Sequence, residues 1–375
     1  MPTASPANRF AWDYRTKARE LGPPPGAGPD GIGIIDPHIH VNGRQAAAIY
    51  KEVARIFGVG RIYSQTRMDQ ADAVKEVLGD LVRFIAVPNF GQPDRRKAFA
   101  EDFLEQIQLW HDRYGSRMIK LWNAPRLREL IPEEFHPEIV HLDGRWRLEA
   151  ARLAESLGMM IMTHTADPDT WFSTKYADAS KYGSKRDQYR GLEVALDRFT
   201  CPWILAHMGG SPEDLDFLDA ILTRHPNAHL DTSATKWMVR ELSRHEDARF
   251  RDFFTKWRSR ILFGSDIVTT DDHVTPKSQR AGAAAASPFS DLADSPEAAF
   301  DLYASRYWAL RTMFETAYDG ESPIADGDLM MVDPARHDAM SAPRLRGRAL
   351  PRELLMDLYA GNTRRVVDGW WRDHP

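Results

Sequence analysis

Eight short apolar runs, separated by segments of a different periodicity, constrain this chain more than any other feature. They read GIGIIDPHIH, VGRIYSQT, VRFIAVPN, RMIKLWNA, GMMIMTHT, PWILAHMGG, NAHLDTSA and RILFGSDIV. Runs this short suit buried strands. The segments between them, such as Gln45 to Phe57, Asp69 to Leu81, Ala98 to Tyr114 and Trp146 to Leu157, carry apolar residues at three- and four-residue spacing and suit helices. Eight strands alternating with helices over about 230 residues predict a (β/α)8 barrel. The competing α/β architecture, a doubly wound open sheet, loses its best support because no G-x-G-x-x-G turn follows the first run.

The remainder of the chain breaks this rhythm. Residues 1–30 end in LGPPPGAGPDG and read as a lead-in arm, which leaves 31–375 as a single barrel domain. An insertion rich in small residues is expected at about 273–300, and an irregular excursion at about 318–350. Between them FDLYASRYWALRTMFETAY has helical spacing and reads as core, with a surface for self-association as the other use of its aromatic residues. PRELLMDLYAGNTRRVVDGWW begins as a helix at Pro351, with Gly361 as a candidate break.

With 375 residues, 43% of them hydrophobic, the chain can bury a large core. The formal charge of -5 and the lack of a basic run point away from nucleic acid and anionic membranes and toward a small-molecule substrate. Cys201 is the only cysteine, which excludes intrachain disulfides and zinc held by thiolate clusters. The N-terminus lacks an apolar leader and no run is long enough to span a bilayer, so a cytoplasmic location is expected.

The polar residues that end these runs carry the chemistry. In a strand, His38 and His40 share a face and form a two-nitrogen claw. In such a barrel the site is built at the C-terminal ends of the strands. His38 and His40 end the first run, His164 the fifth, His207 the sixth and Asp266 the eighth. Five ionisable groups beside an apolar core need an ion or an interlocked network to offset their burial. Histidine and carboxylate ligands without cysteine suit one divalent transition metal, zinc first, with manganese or iron(II) as alternatives. Bound to zinc, water reaches a pKa near ~7 and becomes a nucleophile at neutral pH.

These motifs, DPHIH on the first strand, histidines ending the fifth and sixth, and FGSD ending the eighth, resemble the amidohydrolase superfamily. Within it the chain is similar to the metal-dependent amidohydrolase-related group that includes aminocarboxymuconate-semialdehyde decarboxylase. The resemblance covers about residues 32 to 270 and 351 to 368, the latter through LMDLYAGNTRRVV. It implies that His38, His40, His164 and Asp266 hold one metal and that His207 is catalytic. Asp266 would also serve as general base, and Asp36 would orient a ligand from behind.

Alternation turns Lys120 into the barrel. Some superfamily members carry a carboxylated lysine on the fourth strand that bridges two metals. The other readings of Lys120 are a pairing with a carboxylate or a contact to substrate. Substrate contacts are expected from loops after the strands: Gln65 and Arg67, Asn89, Trp122 and Asn123, and Trp171 with Phe172 and Tyr176 as an aromatic lid. Arginine's planar fork suits a substrate carboxylate. Asp271, Asp272 and His273 follow the eighth run closely enough to reach the site.

In the group's decarboxylases an aromatic residue and proline commonly follow the eighth-strand aspartate, whereas this chain reads SDIVTTDDH. The resemblance therefore implies first a hydrolase of a small amide, ester or lactone. A non-oxidative decarboxylase of a small aromatic or unsaturated acid comes second, and a barrel that binds metal or ligand without turnover third.

Overall fold

The structure is a computed structural model that describes residues 3–26, 32–280 and 290–374. Strands β1 (Ile34–Ile39), β2 (Val59–Ser64) and β3 (Val82–Phe84) pair in parallel in that order. Strands β4 (Met118–Trp122), β5 (Met160–His164), β6 (Trp203–Leu205), β7 (Ala228–Asp231) and β8 (Ile261–Leu262) form a second parallel set. Backbone hydrogen bonds join the two sets at both edges. At one seam Ala86 N–H donates to Met118 and Lys120 N–H donates to Ala86, both at 2.8 Å. At the other, Asp266 N–H donates to His38 and His40 N–H to Ile267, again at 2.8 Å. The eight strands thus form the ring of a (β/α)8 barrel.

Alternation along each strand sorts side chains into two cores. Ile35, Tyr63, Ile85, Met118, Met160, Met162, Ile204 and Leu262 fill the barrel interior. Ile34, Ile62, Phe84, Ile119, Leu121, Ile161, Leu205, Leu230 and Ile261 face outward into the main core shared with the helices. Ala360 and Val367 of the C-terminal helical segment join the interior cluster. Asp368 fixes that segment to the barrel by accepting from Arg61 at 2.5 Å and from the Tyr63 hydroxyl. Gly361 does not break the segment, which stays helical from Arg352 through wider turns at Asp357–Gly361 and Arg364–Asp368.

Three expectations outside the barrel need refinement. The lead-in arm carries a helix, Tyr14–Leu21, started by the Asp13 carboxylate accepting the Arg15 N–H and packed on the long helix Pro296–Glu315. The expected insertion ends where that helix begins, with Ser295 as its cap, and residues 281–289 of it lie outside the described residues. The excursion is not wholly irregular: Asp319–Glu321 and Arg344–Arg346 pair as an antiparallel ribbon, and Asp328–Val332 is a short helix. Tyr303, Tyr307, Ala309 and Leu310 of the long helix are fully buried within this chain, as the core reading of that segment requires.

Candidate metal centre

The first-strand claw forms as alternation requires, and the chain turns other elements toward it. His38 is fully buried and His40 half-buried, with ring centroids 5.9 Å apart. Asp266 lies just past β8 in the left-handed region, at φ 56°, and its Oδ1 sits 3.1 Å from His40 Nε2 and 3.5 Å from His38 Nε2. A non-glycine residue held there stores local strain that the surroundings must impose. They do so through Asp36, whose Oδ1 accepts the backbone N–H of His38 at 3.1 Å and of Ser265 at 3.2 Å, tying β1 to the turn after β8. Its Oδ2 accepts the Tyr307 hydroxyl at 2.8 Å. Burial raises the Asp36 pKa to about 6 against these hydrogen bonds. Asp36 therefore links the claw to the Ser265 backbone and to the long helix.

Hydrogen bonding assigns the histidine protons. The Asp231 carboxylate only accepts, so His38 Nδ1–H donates to its Oδ2 at 2.8 Å, and the Ser233 hydroxyl and His207 backbone N–H donate to Oδ1. Having used its proton, Ser233 Oγ accepts from His207 Nδ1–H at 2.8 Å. Both imidazoles then carry their lone pair on Nε2, the tautomer that a ligating or proton-accepting histidine needs. Burial lowers the pKa of His38 and, more strongly, that of His207, which favours the neutral imidazole at both. Burial also works to raise Asp231 and Asp266, but His38 outweighs it at Asp231, and His207, His40 and His38 hold Asp266 well below the carboxylate range.

Lys120 points into the barrel as predicted. Its Nζ lies 3.1 Å from His38 Nε2, and burial lowers its pKa to about 8 against the pull of Asp231 and Asp266.

The donor atoms of His38, His40 and Asp266 lie within 4.8 Å of one another, and those of His38, His207 and Asp231 make a second such trio. A nitrogen and oxygen set of this kind, with the His38 lone pair aimed inward, fits a divalent transition metal. His164 stands beside this group rather than in it. Its Nε2 pairs with Asp167 Oδ1 at 2.8 Å, Tyr176 donates to the other Asp167 oxygen at 2.7 Å, and its ring is 4.4 Å from that of His207.

Several expected substrate contacts lie elsewhere. Arg67 is exposed, and Asp69 engages its guanidinium at 2.9 and 3.1 Å. Asn89 is exposed and its Oδ1 accepts the Gly91 N–H, which makes it a turn former. Asp271 accepts the backbone N–H groups of Arg44 and Ala46 and so caps the helix Arg44–Phe57. His273 is buried against the Tyr303 hydroxyl at 2.9 Å. Asn89 and Asp271 serve local structure because short polar side chains after a strand satisfy nearby backbone donors. Trp122 is half-buried at the rim, in register with His164. Trp171 packs 5.5 Å from Tyr176 and 5.5 Å from Trp237.

The sequence reading missed Asp231, Ser233, Asp167 and Trp237. Asp231 had a readable signal, since it ends the seventh run at the rim that holds His164, His207 and Asp266. No periodicity marks Trp237.

Among curated proteins none matches the sequence. Among solved structures, an uncharacterised TIM-barrel protein of Bordetella bronchiseptica is similar at 12% identity and a TM-score of 0.45, covering 95% of this chain and 90% of its own. A 5-carboxyvanillate decarboxylase of Sphingomonas paucimobilis is similar at 11% identity and a TM-score of 0.42, covering 89% of this chain and 98% of its own. A D-hydantoinase is similar at 15% identity and a TM-score of 0.37, covering 64% of this chain and 57% of its own. The sequence profile of the Amidohydrolase family Amidohydro_2 matches residues 35–368, from the first strand to the aspartate that anchors the C-terminal segment. The chain belongs to the Amidohydrolase family.

Proposed function

We propose that the chain hydrolyses a small amide, ester or lactone with one divalent cation, zinc in the first instance, held by His38, His40 and Asp266 with His164 alongside. One arrangement carries this reading: Asp266 Oδ1 lies 3.1 Å from His40 Nε2 and 3.5 Å from His38 Nε2, and the His207 Nδ1–H is committed to Ser233, so a carboxylate oxygen and an imidazole nitrogen are left to accept protons. Hydrolysis needs an acceptor for the proton of the attacking water, whereas decarboxylation needs a donor to the carbon that loses its carboxylate. When bound, the cation supplies Lewis-acid polarisation of the carbonyl and a nucleophile from water near neutral pH.

The chain's own residues do the rest. Asp266 Oδ1 faces His40 and His38, which leaves Oδ2 to take the proton of the attacking water. His207 Nε2 orients that water, because its Nδ1 is committed to Ser233. Asp231 holds His38 in its ligating tautomer.

The test is a panel of amides, esters, lactones and carboxylic acids assayed in 18O-labelled water. Incorporation of the label into an acid product without carbon dioxide is expected. Release of carbon dioxide without incorporation would replace the hydrolase reading with the decarboxylase. The His207→Asn variant should keep its metal and lose about 10²- to 10⁴-fold in rate, and an unchanged rate would remove His207 from the mechanism.

A further inference from the structure

Trp237 follows the β7 rim and stands on edge to two of the site histidines. Its ring centroid is 5.6 Å from that of His207 at an interplanar angle of 86°, and 6.2 Å from that of His164 at 73°. Trp171, from the loop after β5, meets Trp237 at 5.5 Å and 79°. Both indoles are half-buried, and Trp237 packs on the main core on its inner side. A single carboxylate oxygen ties them together: Asp328 Oδ2 accepts the Trp171 indole N–H at 2.8 Å and that of Trp237 at 3.1 Å.

Asp328 comes from the excursion after the long helix, far from both tryptophans in sequence, and is itself held. Arg240 Nη1 donates to it at 3.2 Å while also bonding Asp326, and Arg240 Nε donates to Glu241 at 2.6 Å. Lys175 Nζ lies 3.6 Å from the centroid of the Trp171 ring. The indole of Trp237 is thus held at its N–H by Asp328 and by packing on the main core.

We propose that Trp237 is a specificity-determining residue that selects substrates carrying a flat, unsaturated or aromatic group beside His207, and that Asp328 is the residue that positions it. The proposal rests on the hydrolytic reading only in that the substrate enters on the His207 side of the centre. Aromatic rings prefer offset or edge-on contact with another flat ring. A wall that cannot rotate pays no ordering cost when such a ring arrives, and it cannot give way to a puckered one.

Benzoate and cyclohexanecarboxylate share charge and heavy-atom count and differ in flatness. Their binding to the protein as purified, measured by titration calorimetry with metal content recorded, tests the proposal. Benzoate should bind about five-fold more tightly, the scale of one aromatic contact. Trp237→Leu should bring the ratio to about one at unchanged metal content, and Trp237→Phe should retain the preference. Asp328→Ala should lower the ratio, while Asp328→Asn, which keeps an acceptor oxygen, should restore it. Equal affinities in the native protein, no measurable binding of either acid, or a preference that survives Trp237→Leu would overturn the role of Trp237. A ratio unchanged by Asp328→Ala would overturn the positioning role. A failed hydrolysis assay would count against the proposed reaction and leave this ratio as measured.

Discussion

At the residue scale, the centre is organised by Asp231, which is fully buried and accepts from His38, Ser233 and the His207 backbone. Groups that hold a ligating histidine from behind set its tautomer and basicity, and their loss typically costs 10- to 100-fold in metal affinity. Asp231→Asn should therefore weaken zinc binding by about 10- to 100-fold in a chelator competition while the far-UV spectrum stays native. Unchanged affinity would show that Ser233, whose Oγ also lies 2.9 Å from His38 Nδ1, holds the two imidazoles alone. The claw, His207 and Asp266 were legible because strand alternation and barrel geometry fix where a terminal polar residue points. At Arg67 and Asn89 the structure shows local contacts that no periodicity marks: Asp69 lies two residues from Arg67 and Gly91 two from Asn89.

At the element scale, the turn after β6 does the most unusual work. His207, Met208, Gly209 and Gly210 all have positive φ, at 59°, 51°, 63° and 78°, and this left-handed run brings the chain against the loop after β5. Gly210 has no room for a side chain, since an added Cβ would fall 2.1 Å from the Ala166 carbonyl oxygen, on the loop that follows His164. Gly115, at φ 62°, has nothing within 4 Å of such a Cβ. Gly115→Ala should thus cost only the left-handed strain, about 1–2 kcal/mol. Gly210→Ala should cost about 2 kcal/mol more by denaturant melting and should also reduce activity. Equal losses at the two glycines would mean that the turn relaxes freely.

Elements with strong periodicity were legible. The structure shows all eight strands, and the helix expected over Gln45 to Phe57 is Arg44–Phe57. The helix Tyr14–Leu21 was hidden by its short length and polar face, and the 319–321 and 344–346 ribbon by strands only three residues long.

At the scale of the whole molecule, the ring closes because polar groups from opposite ends of the sequence share hydrogen bonds. His38 accepts from Asp266, Asp36 reaches Ser265, and Tyr307 of the long helix reaches Asp36. The alternation of runs and helical segments made this architecture readable. The cross-links were not readable, because nothing local in the sequence pairs residues more than 200 positions apart. Among the described residues no helix is long and apolar enough to cross a membrane. The C-terminal segment closes one end of the barrel through Ala360, Val367 and Asp368, and the site occupies the other.

On the proposed function, this second end of the barrel holds a catalytic cation. Metal content per chain, by elemental mass spectrometry on protein purified without chelator, tests it most directly. About one transition metal per chain is expected, lost in a His38→Ala, His40→Ala double variant. No metal in the native protein, even after reconstitution with zinc, manganese or iron(II), would contradict it.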